Sequence, residues 1–224
     1  MKKLGIIGGA GAFSGLNIYK KILYGVARNR NLKDKDFPQI LLHNYPFSSI
    51  SSKGVDLPTL AKQEIELALK PLIECAKIII ACNSLNPLVS DSRIINLPQL
   101  GLIHYKTRKK QNDKVLILCS KTSKEHNIFS EDSDIIYSSN ELSELSELII
   151  QNHIVGNTSN ELDYFHAILT ESKKQDITNI IVGCTELSML NWNKLSSYIN
   201  VIDCVDLAVQ EFVLWHNKEQ NESL

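Results

Sequence analysis

The sequence predicts an α/β fold made of two similar Rossmann-like domains with mostly parallel sheets, related by a pseudo-twofold duplication. Three observations carry this. Short apolar runs rich in Ile, Val and Leu alternate with longer runs of helical periodicity, the pattern of parallel strands covered by helices. The pattern restarts midway, where Lys3-Leu4-Gly5-Ile6-Ile7 returns as Lys114-Val115-Leu116-Ile117-Leu118. Later in each half an apolar strand runs into a cysteine, Ile78-Ile79-Ile80-Ala81-Cys82 and Ile180-Ile181-Val182-Gly183-Cys184. Two landmarks recurring in the same order indicate a repeated unit.

The elements follow in order. Lys3–Ile7 reads as a strand ending in Gly8-Gly9-Ala10-Gly11, followed by a helix with Leu16, Ile18, Tyr19, Ile22 and Leu23 on its apolar face. Gln39–His43 is the next strand. Thr59–Cys75 reads as a helix that Pro71 must bend or divide, because proline lacks the amide donor and clashes with the preceding turn. Lys77–Ala81 is a buried strand and Leu100–Ile103 a weaker one. In the second half Val115–Leu118 is a strand followed by a polar stretch with Ser120, Thr122 and Ser123, and Asp134–Tyr137 is another. Glu141–Gln151 and Asn160–Lys173 read as helices, the first with a stripe of Leu142, Leu145, Leu148 and Ile149. Ile177–Val182 and Val201–Ile202 are strands, Val205–His216 is a closing helix, and Asn217–Leu224 is a polar tail that frays. The expected domains are residues 1–106 plus 205–224, and residues 107–204.

Composition supports a folded enzyme-sized chain. Of 224 residues, 43% are hydrophobic and 22% charged, which argues against disorder. A formal net charge of -1 offers no electrostatic reason to expect nucleic acid or an anionic membrane as partner. Apolar runs such as Ile78–Ala81 are too short to span a bilayer, and Met1-Lys2-Lys3 leads into a glycine loop rather than a signal-peptide core. The chain therefore reads as cytoplasmic. Its cysteines, Cys75, Cys82, Cys119, Cys184 and Cys204, are odd in number and scattered, without a Cys-x-x-Cys pair. Neither a disulfide framework nor a local zinc-ligand spacing is indicated, so no metal is expected.

Ligands of open α/β sheets collect at the carboxyl ends of strands, where Cys82 and Cys184 both stand. If the halves face each other, the two thiols occupy opposite walls of one cleft. Each is expected to precede a helix, whose N-terminus favours thiolate and lowers an ordinary thiol pKa of about 8.5 toward about 7. Such a pair can exchange protons on two faces of one carbon, one thiolate removing a proton while the other thiol delivers one. A buried cysteine is otherwise a small hydrophobe. Cys75, on the helix run, and Cys204, near the last strand, read as core, while Cys119 ends a strand from which it could approach the cleft.

The strings Gly5-Ile6-Ile7-Gly8-Gly9-Ala10-Gly11, Ala81-Cys82-Asn83-Ser84 and Gly183-Cys184-Thr185-Glu186-Leu187 together resemble the aspartate/glutamate racemase family, in order and over nearly the whole chain. The resemblance implies two Rossmann-like domains with the active site between them, and inversion at Cα without pyridoxal phosphate or any other cofactor. It implies Cys82 and Cys184 as the two bases, with Asn83, Ser84 and Thr185 holding a substrate carboxylate. Gly9, Gly11, Ser120, Thr122 and Ser123 would line the same pocket. The glycines equally suit a tight turn, and the hydroxyls a polar loop capping the next helix. A small amino-acid or carboxylate substrate and a homodimer are also implied.

The chain departs from that family where a substrate's second carboxylate would be held. No arginine follows the second strand in Asn44–Ser51, and no lysine stands near His153-Ile154-Val155-Gly156. Lys53 and Lys121 are stand-ins, each more readily read as a solvated surface lysine. His43, at a strand end, is a candidate to face the cleft, and Glu186 either orients Cys184 or caps the following helix. A nucleotide-binding Rossmann protein fits less well, since the glycine loop matches only part of that fingerprint and the second strand ends in His43-Asn44 rather than an acid. A related isomerase, hydantoin racemase or decarboxylase, and a ligand-binding homologue without turnover, remain open alternatives.

Overall fold

A computed structural model describes residues 3–28, 32–130, 132–157 and 161–222. Its centre is two separate parallel sheets. In the first, β1 (Lys3–Gly8) lies between β2 (Ile40–Asn44) and β5 (Cys75–Ile80). In the second, β6 (Val115–Leu118) lies between β7 (Ile135–Tyr137) and β8 (Asn179–Val182), and β9 (Asn200–Asp203) extends the edge beyond β8. Both sheets thus place the first strand of the unit between the second and third, with every pairing parallel. Between β2 and β5 in the chain, β3 (Ile50–Ser51) and β4 (Gly54–Val55) form a short antiparallel hairpin that the sequence pattern does not show.

The helices are α1 (Ala12–Ala27), α2 (Pro58–Leu69), α3 (Leu97–Arg108), α4 (Lys121–Glu125), α5 (Asn140–Ile154), α6 (Glu161–Gln175) and α7 (Cys204–Glu222). Both strand sets run as near-continuous Ile, Leu and Val because parallel strands are covered on both faces. One apolar cluster is shared by the two sheets: Leu4, Ile6 and Ile79 join Val115, Ile117, Ile181 and Ile202 beneath α1, α3 and α7. A second cluster fills the outer face of the first sheet under α2, and a third fills the outer face of the second under α5 and α6.

Several sequence expectations are corrected. Leu100–Ile103 is not a strand but the middle of α3, because the Asn96 side chain accepts from the Gln99 amide and Pro98 suits the first turn. The run Thr59–Cys75 is divided at Pro71: α2 stops at Leu69, a 3-10 turn carries Pro71, and Cys75 opens strand β5 instead of ending a helix. The closing helix continues through the polar Asn217-Lys218-Glu219-Gln220 to Glu222, where good helix formers extend it. The rest of the expected tail, residues 223–224, lies outside the described residues, as does Asn160 at the start of the helix expected there. Among the described residues no helix is long and apolar enough to cross a membrane.

Candidate active site

Cys82 and Cys184 occupy equivalent places, each two residues beyond the third strand of its unit. Their backbones are fixed alike: the amide of Ala81 bonds the Ile7 carbonyl of β1, and that of Gly183 bonds the Leu118 carbonyl of β6. Each chain then leaves the sheet in a tight turn. The expected α-helix is absent from both places. After Cys82 comes a 3-10 stretch, Asn83–Leu88, containing Pro87; after Cys184 comes the 3-10 turn Leu187–Met189. The helix dipole invoked from the sequence is therefore missing, since so short a turn sums few peptide dipoles.

The two cysteines line one cavity at the carboxyl ends of the strands, with Gly11, Ser84, Ser120 and Glu186 on its floor. The hairpin residues Ile50, Ser51, Ser52 and Gly54, with Ile150 and Ile154 of α5, form its cover. Its volume is about 30 Å³, room for a water or two and far below the roughly 300 Å³ of a typical small-molecule pocket. The structure is therefore a closed state. A larger groove of about 550 Å³ between α5 and α6 is lined by Glu141, His166 and Glu171 among others, without a thiol.

Glu186 is the buried charge at the centre. Its carboxylate accepts from Cys184 Sγ at 2.9 Å, from Ser14 Oγ at 2.9 Å and from Thr185 Oγ1 at 3.2 Å. Of the two roles left open by the sequence, it takes the orienting one, and its side chain caps no helix. Burial pushes the Glu186 carboxyl up, opposed by the Cys184 and Ser14 donors. Burial and the adjacent Glu186 carboxylate raise the Cys184 thiol well above its ordinary value. The same two causes push Cys82 up to about 12, opposed by the Leu85 and Ser84 amides and the Ser84 hydroxyl. The expected lowering toward neutrality is thus overturned for the closed state. Desolvation of an anion outweighs the few donors present.

The remaining candidates separate into wall and support. Ser84, Ser120 and Ser123 close a hydroxyl triangle with sides of 2.8 to 3.1 Å, Ser84 and Ser120 facing the cavity and Ser123 standing behind. Thr122 lies outside the cavity, where its amide donates to the Lys53 carbonyl of the hairpin at 2.8 Å. Thr185 is buried and donates to the Ala81 carbonyl at 3.1 Å, tying the two cysteine loops together. Asn83 is 3% exposed, and both polar atoms of its side chain lack a partner. Gly11, at φ 84°, leaves the space taken by the Glu186 carboxylate, and Gly9, at φ 97°, admits the Tyr45 backbone. Both need φ > 0 and no Cβ.

His43 faces α2, bonding the Ala68 carbonyl through Nδ1 at 2.9 Å, and does not line the cavity. Cys119 is buried in the shared core, where desolvation pushes its thiol up to about 12. Lys53 and Lys121 line a separate groove with Glu125, Glu144 and Glu147. Among the described residues no group of three or more His, Cys, Asp or Glu is placed to hold a metal. The residues that sequence reasoning did not single out are Ser14, the hairpin, Ile150 and Ile154. They are brought in by tertiary packing, whereas Glu186 carried a signal in its place two residues after Cys184.

A search of curated protein sequences returns no significant match. Among solved structures, an aspartate racemase homologue from Pyrococcus horikoshii superposes with a TM-score of 0.69 at 21% identity, covering 97% of this chain and 100% of that one. A glutamate racemase from Campylobacter jejuni gives 0.62 at 17% identity over 97% and 85%. An allantoin racemase from Pseudomonas fluorescens gives 0.55 at 13% identity over 100% and 92%. These likenesses show the shared fold. The family model for Asp/Glu/Hydantoin racemase matches residues 7–212, a span holding both cysteine loops and the whole second sheet, and the chain accordingly belongs to that family of isomerases.

Proposed function

We propose that the protein is an amino-acid racemase that inverts Cα by two-base proton exchange between Cys82 and Cys184. The carrying observation is that two thiols at equivalent strand ends line one cavity. In the reaction, the thiolate of one cysteine takes the Cα proton and leaves a carbanion. The thiol of the other then donates its proton to the opposite face. The pair ends with the same total of protons, shifted from one sulfur to the other, and no cofactor enters the balance.

Assignment of the resting proton follows from the neighbours. Cys184 donates to the Glu186 carboxylate and is held as the thiol. Cys82 is surrounded by the donors of Ser84 and Leu85, which suit a thiolate. In the closed cavity burial keeps Cys82 protonated as well. An arriving α-ammonium group adds a positive charge beside both sulfurs, so that Cys82 gives up its proton to solvent as the substrate enters, and the resulting thiolate starts the exchange. Entry requires the cover to part. The sheets share an apolar core, so the hairpin and the end of α5 are the parts that move, released from the Gln151–Ser52 and Thr122–Lys53 hydrogen bonds.

The test is incubation of the purified chain with single enantiomers in deuterated water, following deuterium at Cα by NMR and optical inversion by chiral chromatography. Inversion with uptake of one solvent deuteron supports the reading. Ligand binding without exchange identifies a homologue that has lost turnover, and overturns it.

A further inference from the structure

We propose that the substrate is an α-amino acid with a small neutral side chain, not a dicarboxylate. This rests on the racemase reading and adds the substrate class. Its ground is the charge arrangement of the cavity. Among the described residues, the ionisable groups on its wall are Cys82, Cys184 and Glu186, and no Lys, Arg or His lines it. All three carry negative charge when ionised. The reaction itself requires one thiolate, so the working site already holds an anion beside the Glu186 carboxylate.

A zwitterion fits that field. Its ammonium meets Glu186, and its one carboxylate meets the neutral Ser84 and Ser120 hydroxyls. The third substituent on Cα then faces the cover, where Ile50, Ile150 and Ile154 stand with the hydroxyls of Ser51 and Ser52. A second carboxylate there would be desolvated against isoleucine with no cation to receive it. The nearby cations do not line the cavity. Lys124 donates to the Ser138 carbonyl at 2.7 Å and to Asn140, and Lys121 pairs with Glu125. Lys53 lies in the outer groove with three glutamates. His153, beside Ile154, is pushed down by burial and stays neutral.

The experiment compares Cα deuterium exchange of L- and D-alanine, serine, aspartate, glutamate and 5-methylhydantoin, with calorimetric titration of each. Expected is a kcat/KM for alanine or serine at least about tenfold above either dicarboxylate, and a gain of about tenfold for aspartate or glutamate in Ile154→Lys. Equal or faster exchange of aspartate or glutamate by the unmodified protein overturns the inference, and so does exchange of the hydantoin alone. If nothing exchanges, the racemase reading fails, and binding decides the substrate class separately. Tighter binding of alanine or serine upholds it. Tighter binding of a dicarboxylate, or binding of none, overturns it.

Discussion

The two cysteine loops hold equivalent positions in equivalent sheets, yet they are braced differently. The Cys82 loop has its backbone braced from within its own unit, where Asn86 Nδ2 donates to the Cys82 carbonyl at 2.8 Å and Asn86 Oδ1 accepts from the Leu97 amide, and it meets the other unit through the Ser84 hydroxyl and the Ala81 carbonyl. The Cys184 loop is braced across the molecule. Glu186 reaches Ser14 of α1, and Ser188 bonds both Lys21 of α1 and Asp203 at the end of β9. One loop is a fixed wall. The other is a joint between elements, and it carries the buried carboxylate. A near-symmetric fold thus builds an asymmetric proton pair, with a carboxylate beside one sulfur and hydroxyl and amide donors beside the other.

The largest effects come from removing either sulfur. Cys82→Ser and Cys184→Ser each lower racemisation by about 10²–10⁴-fold, the usual contribution of a positioned acid or base. The remaining thiol still exchanges Cα–H from its own face, so the two variants act on opposite enantiomers. Exchange of the same enantiomer by both variants contradicts opposed thiols. Unchanged far-ultraviolet circular dichroism separates loss of chemistry from loss of fold.

Glu186→Gln sharpens the asymmetry. It removes the carboxylate that Cys184 donates to, and whose charge also reaches Cys82, and leaves a neutral amide. Turnover falls about 10–100-fold, less than for a thiol, because the group acts through Cys184. The pH profile carries the distinguishing sign. The Glu186 charge is one cause of the raised Cys82 thiol, so its removal makes the thiolate easier to form. The alkaline-going rise of kcat/KM therefore moves to lower pH. A purely structural role for Glu186 leaves that limb in place.

Much of this arrangement is legible in the residues and some is not. The parallel strands declare themselves because strands buried on both faces must be apolar throughout, as Ile78-Ile79-Ile80 and Ile180-Ile181-Val182 are. Leu100–Ile103 misleads because a four-residue apolar run has no period, and the deciding signal is the Asn96 cap and Pro98 just before it. At the site, the cysteines are marked by sequence position. Ser14, Ile50 and Ile154 are not, since what makes them neighbours is the meeting of three distant segments. The expected electrostatics fail in sign because they require a helix after each cysteine, and because burial cannot be read from one residue's neighbours in sequence.

Lys21→Met tests the joint on the Cys184 side. Lys21 Nζ lies 2.7 Å from Asp206 and 3.5 Å from the buried Asp203. Removing it leaves Asp203 with only Ser188 and backbone donors. A fully buried pair broken on one side costs about 3–5 kcal/mol; with Lys21 partly exposed, about 1–3 kcal/mol is expected. Burial already raises the Asp203 carboxyl, and Lys21 is the largest influence lowering it, ahead of the Ser188 and Val205 donors. Without the lysine the folded value rises further, so the native state holds that proton more tightly than the unfolded chain. Stability is then best at low pH and is lost as pH rises through the folded value. The denaturation midpoint of the variant should fall further below that of the unmodified protein at pH 8 than at pH 5.

The smallest effect compares two glutamates that do the same local work in the two units. Glu64 of α2 accepts from the Ser48 amide and hydroxyl at 2.9 and 2.6 Å, and from Ser49, in the loop after β2. Glu171 of α6 accepts from the Ser139 amide and hydroxyl at 2.8 and 2.6 Å, in the loop after β7. Glu64→Gln and Glu171→Gln should each cost about 1–2 kcal/mol, the scale of hydrogen bonds to a charged acceptor. Their consequences differ because the Ser48-Ser49 loop leads directly into the hairpin over the cavity, while the Ser139 loop starts α5 at the end remote from Ile154. Glu64→Gln should therefore raise KM severalfold, and Glu171→Gln should leave it unchanged. Burial raises the Glu64 carboxyl, but the Ser48 and Ser49 donors outweigh it and hold the group below its ordinary value. Its contribution is thus complete above the unfolded value of about 4.3 and disappears as pH falls through the folded one. Acid denaturation of the unmodified protein and Glu64→Gln should converge as pH falls below the lowered folded value, and an equal rise of KM in both variants contradicts the distinct placement of the two loops.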